Sequence, residues 1–473
     1  MIAPLRCAAA AGAVETKRCA LDEMIDSSHP LRMQTVSSGT PGDRWLLFVA
    51  FVLAGYAFIG KGFAYVGLPP VYIGEIAYLT GIVVFLRSRC IVGSFASLPG
   101  VLLTLNMAWV LLRTAPFVST YGVDALRDSV VVMYGGFAFI VVALLLEDPR
   151  RIDMILRCYD RFARIFVPVM PFLYVIDRYL VDYIPQMPNA NAPILEVRSG
   201  EVAVHLAGAA AFALAGFCRV GWGWILAICA TAVMAASQGR GAMLAFAIPV
   251  IMAAIFVGKA GAVARILVLI PIVAFAAMTA ETTFGEYHPA GSTAERSIDP
   301  HQLVDNVMST FTESGSRQGE STKTWRLDWW NIIVADTLFG PNFWTGRGFG
   351  LNLADADGFQ DVDDPARPVL RSPHSVHMTI LARAGIPGLT LWFAFLLSWF
   401  GAMLRSMQIA RQRGHVGWSR MFLFVMCYVL SILIDAAFDV AIEGPMVGIW
   451  FWCLIGFGIG IVMVYRAERT ALG

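Results

Sequence analysis

Apolar runs separated by short polar segments recur along nearly the whole chain. Most runs approach the roughly 20 apolar residues that a helix needs to cross a bilayer. The pattern predicts an all-α polytopic membrane protein with about twelve transmembrane helices. The predicted spans cover residues 45–60, 70–87, 98–112, 129–146, 163–181, 202–218, 222–237, 241–257, 264–281, 376–404, 421–439 and 446–465.

These spans define the predicted domain organisation. Two blocks of spans flank one long polar loop, and the N-terminal tail is predicted to be disordered, with Met33 as an alternative start. The segments are a tail at 1–44, spans one to nine at 45–281, the long loop at 282–373, spans ten to twelve at 374–465 and a tail at 466–473.

Lysine and arginine orient the spans. Cations are concentrated in alternate polar segments, such as EDPRRIDMILRCYDRFAR at 147–164 and RSMQIARQRGHVGWSR at 405–420. Because cytoplasmic segments carry the excess of cations, both termini are predicted to be cytoplasmic and the long loop to lie outside. All eight cysteines fall in cytoplasmic segments or spans, so no disulfide framework is predicted on the outside.

Composition supports the membrane assignment. The chain is 58% hydrophobic and 15% charged, against about 25% charged residues in soluble proteins. A net charge of +1 indicates no nucleic-acid partner. The chain contains no Walker A loop, no GxGxxG after a strand and no CxxC pair, so ATP or nicotinamide chemistry is not indicated.

The long loop has two parts of different character. TWRLDWWNIIVADTL at 324–338 has helical apolar spacing, and Trp325 and Trp330 predict that this helix lies at the membrane interface. DADGFQDVDDPARP at 355–368 predicts an exposed acidic loop. Because it lacks the twelve-residue ligand pattern of a calcium loop, calcium is not expected there.

The segment SPHSVHMTILARAGIPG at 372–388 places His374 and His377 three residues apart, on one face if the segment is helical. A metal site needs three or four ligands, and the outside segments offer no further histidine at a suggestive spacing. The residues leave open whether His374 is a catalytic base or a polar helix start.

Two arginines join His374 on the predicted outside face. Arg240 opens span eight in SQGRGAMLAF, and Arg326 lies near the start of the loop helix. Arginine binds phosphate in bidentate fashion, and histidine can take a proton from a hydroxyl. The set therefore suits a diphosphate and an attacking hydroxyl, whereas the alternatives are a snorkelling arginine and a surface helix charge.

Further charges near the outside end of span eleven predict structural ion pairs. Asp435 and Asp439 are four residues apart and face one way if helical. Arg383 and Arg127 are the partners predicted for them.

Three sequence blocks resemble the superfamily of O-antigen ligases and Wzy-type polysaccharide polymerases. SQGRGAMLAF resembles its Ser-x-x-Arg-Gly-Ala span start, and TWRLDWWNIIVADTLFGPNFWTGRGFG resembles its loop helix followed by a Gly-x-Gly-Phe-Gly turn. PHSVHMTILARAGIPGLTLW is similar to its histidine block and the Gly-Ile-x-Gly-Leu turn, with His374 and Gly385 eleven residues apart.

The resemblance implies a GT-C-like glycosyltransferase of the bacterial inner membrane without a cofactor or metal. Its donor would be an undecaprenyl-diphosphate-linked glycan, and its acceptor lipid A–core or another lipid-linked glycan, on the periplasmic side. By position, Arg240 and Arg326 would clamp the diphosphate and His374 would be catalytic. Further candidate substrate-binding residues are Arg347, His377, Arg198, His205 and Trp330.

Some features depart from this pattern or leave alternatives open. Ser375 occupies the place of the usual asparagine, and Arg347 is not a usual feature, so it would touch substrate or only Asp355. Ligase and polymerase are not distinguished. The alternative from another class is a polytopic lipid or polysaccharide transporter or flippase, which predicts internal repeats and charges near the bilayer midplane. The key charges cluster at one face instead, which favours an enzyme.

Overall fold

The computed structural model describes residues 39–188, 190, 192–267, 317–360 and 370–471. This part of the chain is mostly helical, and its strands are two short antiparallel segments. The strands are β1 (Gly67–Leu68) and β2 (Val71–Tyr72). The helices are α1 (Pro41–Ile59), α2 (Lys61–Ala64), α3 (Ile73–Arg87), α4 (Ile91–Ser94), α5 (Leu98–Thr114), α6 (Val118–Tyr121), α7 (Val123–Met133), α8 (Gly135–Glu147), α9 (Arg151–Tyr179), α10 (Ser199–Leu214), α11 (Trp222–Gln238), α12 (Arg240–Val257), α13 (Ala260–Leu267), α14 (Arg317–Leu338), α15 (Leu353–Asp357), α16 (Val376–Gln412), α17 (Val416–Ala436) and α18 (Pro445–Ala471). Three-residue 3₁₀ turns lie at Ala115–Phe117, Val181–Tyr183 and Ala441–Glu443.

The helices confirm a polytopic membrane protein, whereas the predicted number of twelve spans stays a prediction. Within the described residues, six helices are long and apolar enough to cross a membrane, and the pair α7 and α8, bent by 42°, would be a seventh. α10 and α11 are apolar but shorter. The predicted ninth span lies mostly outside the described residues, as do parts of the long loop and of the N-terminal tail.

The starts of several helices follow from local sequence. Thr40 and Asp43 form a capping box at α1, and Pro41 occupies the first turn, where its missing N–H costs nothing. Ser97 caps α5 in the same way by accepting from Gly100 N. These polar signals sit next to apolar runs, so the local sequence indicates where the helices start, and at α1 Arg151 also bonds Thr40 and Asp43.

α18 is the most buried span, and tryptophan side chains tie it to its neighbours. Trp450 Nε1 donates to Leu53 O of α1 at 3.0 Å, and Trp399 Nε1 of α16 donates to Ile455 O at 3.1 Å. In an apolar interior an indole N–H needs an acceptor, so these bonds fix which helices stand beside α18.

Three helices meet at the end of the bundle that carries the candidate residues, called here the His374 side. α10 and α12 begin there, and α17 ends there. Ser431 Oγ of α17 donates to Ala245 O of α12 at 2.6 Å, and Tyr428 of α17 bonds His205 of α10 at 2.6 Å. Two helix N-termini therefore lie beside each other, and their partial positive charges favour anions.

α16 is broken at Gly385, whose φ is 67° and ψ is −169°. A side chain here would meet the backbone of the loop that precedes α16. Pro387 has no N–H, so the Arg383 carbonyl lacks its helical donor. Gly348 N supplies that donor at 3.0 Å.

The same loop also provides partners for the next pair of backbone groups that the break leaves without a helical hydrogen bond. Ile386 N donates to Phe343 O at 2.9 Å, outside the helix. The carbonyl of Ala382 accepts instead from Arg347 N at 2.7 Å. The loop that contains the Gly-rich turn GRGFG therefore supplies the hydrogen-bond partners that the broken helix lacks. This explains why the turn and the break occur in one sequence.

Candidate active site

His374 has an unusual backbone conformation. Its φ is 51°, and it is the one non-glycine residue with positive φ in the part of the chain that the structure describes. It lies two residues before α16, so His374 and His377 do not share a helix face as their spacing suggested. His377 accepts from Trp392 Nε1 at 3.2 Å and stacks on Phe393. The pair therefore separates into one unusual and one packed histidine.

Contacts on both sides of His374 hold this backbone in place. Trp330 Nε1 donates to Pro373 O at 2.8 Å, and Thr379 Oγ1 donates to Glu443 Oε1 at 2.8 Å. The Ser372 hydroxyl also donates to Glu443. A left-handed non-glycine residue costs on the order of 1–3 kcal/mol and persists only where its surroundings impose it.

The imidazole of His374 is oriented by a carboxylate. His374 Nδ1 lies 3.0 Å from Asp439 Oδ1, and Asp439 also accepts from Val440 N at 2.8 Å. Burial alone would raise the pKa of Asp439, but His374, Val440 N–H and Arg198 bring it down to about 2. An ionised Asp439 favours the tautomer with the proton on Nδ1, which leaves Nε2 free to accept a proton.

Two more carboxylates and an arginine surround this pair. Glu201, near the start of α10, and Asp435, near the end of α17, are both buried. The Asp435 carboxylate packs against the backbone at Gly200. Arg198 precedes α10 and interacts electrostatically with Glu201 and Asp439. Arg198 Nη2 also lies 3.5 Å from Glu196 Oε1, so the structure brings Arg198 near Asp439, the carboxylate that contacts His374.

The predicted pairing of Asp435 and Asp439 with Arg383 or Arg127 is wrong. Arg383 is buried inside α16 and pairs with Asp128 of α7 at 3.0 Å, and Arg127 pairs with Asp124 at 3.1 Å. The reason is that Asp128 stands within reach of Arg383 and also accepts from Arg371 Nη2 and Gly350 N, each at 3.1 Å.

Arg240 is the first residue of α12, as predicted from the sequence. The backbone at Gly241 lies against Phe438, which precedes Asp439 in the chain. Among the described residues, no hydrogen bond or ion pair involves the half-buried Arg240 side chain. An uncommitted guanidinium at two helix N-termini is suited to an anionic group.

The loop helix α14 carries Arg326 to the same side. The ring of Trp325, the preceding residue, lies 6.0 Å from the His374 ring in edge geometry. The prediction that α14 lies at the membrane interface stays a prediction, but Trp325 and Trp330 do not support it, because both indoles contact the protein. Trp325 packs on Trp329 and Phe359, and these two indoles belong to a second small core that includes Leu381 and Ala382 of α16. Trp330 bonds Pro373 O.

Two other candidate residues, Arg347 and His205, have defined contacts within the protein. Arg347 Nε lies 2.7 Å from Asp336 and Nη1 lies 2.6 Å from Asp357, so its ion pairs are with these two carboxylates and not with Asp355. His205 lies deep in the bundle, bonded to Tyr428 and surrounded by aromatic rings. Neither is brought next to His374, and a substrate-binding role for either stays a prediction.

Sequence reasoning did not assign the roles of Asp439 and Glu443. Asp435, Asp439 and Glu443 follow one another at four-residue intervals at the end of α17. That spacing signals several carboxylates at one membrane boundary, where ionisable groups are usually functional. Among the described residues, no group of three or more histidines, cysteines and carboxylates has the arrangement of a metal site.

Residues 225–393 match the model of the Wzy_C family, described as O-antigen ligase. The matched segment contains Arg240, Arg326 and His374, whereas Arg198, Asp439 and Glu443 lie outside it. Among curated proteins, none matches the chain. The match agrees with the resemblance that the three sequence blocks carry.

Proposed function

From the O-antigen ligase match, we propose that this protein transfers a glycan from an undecaprenyl-diphosphate carrier to an acceptor hydroxyl. The observation that carries the proposal is the 3.0 Å contact between His374 Nδ1 and Asp439, at a histidine held in a left-handed backbone. A histidine fixed in this way has its second nitrogen available for chemistry.

In this proposal His374 Nε2 takes the proton of the acceptor hydroxyl as its oxygen attacks the anomeric carbon. The bond between the anomeric carbon and the phosphate oxygen breaks, and the electron pair leaves with the diphosphate. Asp439 then stabilises the imidazolium through its contact with Nδ1. Attack from the side opposite the leaving group gives inversion at the anomeric carbon.

The charge of the leaving diphosphate would be balanced by protein cations. Arg240 and Arg326 are the proposed clamp, and Arg198 is a third cation beside Asp439. Guanidinium groups bind phosphate oxygens in pairs and keep their charge at all relevant pH values. In this scheme no metal is needed, because arginines supply the positive charge.

We place the reaction at the periplasmic face of the bacterial inner membrane, with both termini in the cytoplasm. The distribution of lysine and arginine supports this orientation. The acceptor would be lipid A–core for a ligase or a second lipid-linked repeat for a polymerase. Both acceptors present a sugar hydroxyl, so the same residues serve either reaction.

The test is a deletion strain complemented with single variants. His374→Ala and Arg326→Ala are expected to accumulate the carrier-linked glycan and to lose the mature surface polysaccharide. The matched control is His415→Ala, because His415 bonds Tyr465 at the opposite end of the bundle. Loss of chain length with retained single repeats indicates a polymerase, and loss of attachment indicates a ligase. An unchanged glycan profile in both active-site variants would disprove the proposal.

A further inference from the structure

The connector, defined here as residues 339–345, joins α14 to the Gly-rich turn GRGFG at 346–350. It carries two large exposed aromatic side chains. Phe339 is 87% exposed and Trp344 is 69% exposed. Both differ from Trp329 of α14, which is fully buried. Two large apolar side chains so close together on a short surface loop predict a contact that covers them, because exposing large apolar groups to water is unfavourable.

The position of the connector along α16 gives its depth in the membrane. The connector docks at Gly385 through the bond from Ile386 N to Phe343 O. From residue 384 to residue 404 α16 carries no charged residue, and Arg405 follows. The 20 residues from Gly385 to Leu404 span about 30 Å of helix, which is the thickness of the hydrocarbon core. Gly385 therefore lies at the membrane boundary when Arg405 lies at the opposite one.

α5 gives the same level independently. Arg113, in the last turn of α5, donates from Nε to Thr345 O at 2.6 Å. The preceding turns of α5 expose an apolar stripe on one face, as expected of a helix that faces lipid. The stripe consists of Leu98, Val101, Leu105 and Leu112. The connector therefore lies next to the end of α5, where it extends the lipid-facing surface of that helix.

We propose that Phe339 and Trp344 insert into the interfacial region of the bilayer on the His374 side. Bulk membrane lipid is the occupant that fits. Aromatic side chains are enriched at this depth, where an indole ring packs on acyl carbons while its N–H stays hydrated. Arg113 at the same level, whose guanidinium lies over the Phe117 ring at 5.8 Å, is placed to reach the head groups.

This contact would set the height of the active site above the lipid. α14 ends one residue before Phe339, and its other turns hold Trp325 against His374 and Trp330 against Pro373. Anchoring the connector therefore anchors the helix that carries Arg326. This consequence rests on the proposed function, whereas the lipid contact itself does not.

The contact is tested by tryptophan quenching in bilayers that contain phospholipid brominated near the head of the acyl chain. Trp344→Phe is expected to lower the fluorescence intensity that the brominated lipid quenches. Trp330→Phe is the matched control and is expected to leave it unchanged, because that indole faces the protein. Phe339→Trp, made in the Trp344→Phe background, is expected to restore quenching.

The proposal is overturned when Trp344→Phe leaves lipid quenching unchanged and Phe339→Trp adds none. Quenching of these two positions by aqueous iodide instead would also overturn it and would indicate exposure to water, whereas protection from both quenchers would overturn it and indicate a protein partner. These measurements do not depend on catalytic activity, so the lipid contact and the proposed function can be disproved independently of each other. In an active protein, Phe339→Ser with Trp344→Ser is expected to lower turnover more in bilayers than in detergent.

Discussion

His374 Nδ1 and Asp439 Oδ1 are 3.0 Å apart, although 65 residues separate them in sequence. One residue precedes α16 and the other follows α17, so the contact forms only when the two helices pack side by side. The pair gives the imidazole one defined tautomer and places a carboxylate where an imidazolium would need it.

Asp439→Asn is expected to lower turnover at least about tenfold, because an amide can donate to Nδ1 and favour the wrong tautomer. The effect should appear in kcat more than in KM, since Asp439 orients the base and is not proposed to bind substrate. Steady-state kinetics on the purified protein with a carrier-linked donor check this. Asp439→Glu, which keeps the charge, should retain more activity than Asp439→Asn; equal loss in both would contradict an orienting role.

The low pKa of Asp439 predicts a pH dependence of stability. Because the folded pKa is about 2 and the unfolded value is about 3.9, Asp439 stabilises the fold above about pH 4. That contribution is lost as pH falls from about 4 towards 2. Thermal unfolding of the wild type and Asp439→Asn should therefore differ most at neutral pH and converge in acid. A constant difference down to pH about 2 would argue against the contact.

Glu443 should be needed to hold the backbone at His374. Glu443→Ala removes the acceptor for Thr379 and Ser372 and is expected to lower turnover about tenfold or more, because His374 then loses its imposed conformation. Glu443→Gln keeps an oxygen acceptor and should lose less. A circular dichroism melt and kinetics on both variants separate this effect from general unfolding.

Arg240 should act through phosphate binding. Arg240→Ala is expected to cost about 2–4 kcal/mol of transition-state stabilisation, and Arg240→Lys to recover only part of it, because lysine lacks the bidentate fork. Arg405→Ala, at the far end of α16, is the control. Recovery of full activity in Arg240→Lys would show that charge alone is sufficient.

The helix break should be intolerant of a side chain. Gly385→Ala introduces a Cβ 2.7 Å from Phe343 O at a residue with φ of 67°, and it is expected to destabilise the protein by about 1–3 kcal/mol. Gly401→Ala in the same helix meets no atom within 4 Å and should be near neutral. Thermal unfolding in detergent measures both. Equal stability of the two variants would show that the break is not needed.

The sequence by itself determined the helical membrane class and the starts of helices such as α5 and α12. It also singled out Arg240, Arg326 and His374, whose roles stay predictions. These are local properties, because hydrophobic length, capping groups and motif spacing are written in consecutive residues. The resemblance to the family's Gly-x-Gly-Phe-Gly pattern also indicated a turn at GRGFG, which the structure explains as the donor set for the break at Gly385.

Only the tertiary structure decided which charges meet. Asp439 pairs with His374 rather than Arg383, and Arg383 pairs with Asp128, because the packing of the helices decides which opposite charges come within reach. The inward direction of Trp325 and Trp330 was also decided there, since a helical stripe of indoles fits a protein core as well as a membrane. Long-range partners depend on how helices pack, and one sequence pattern is compatible with several packings.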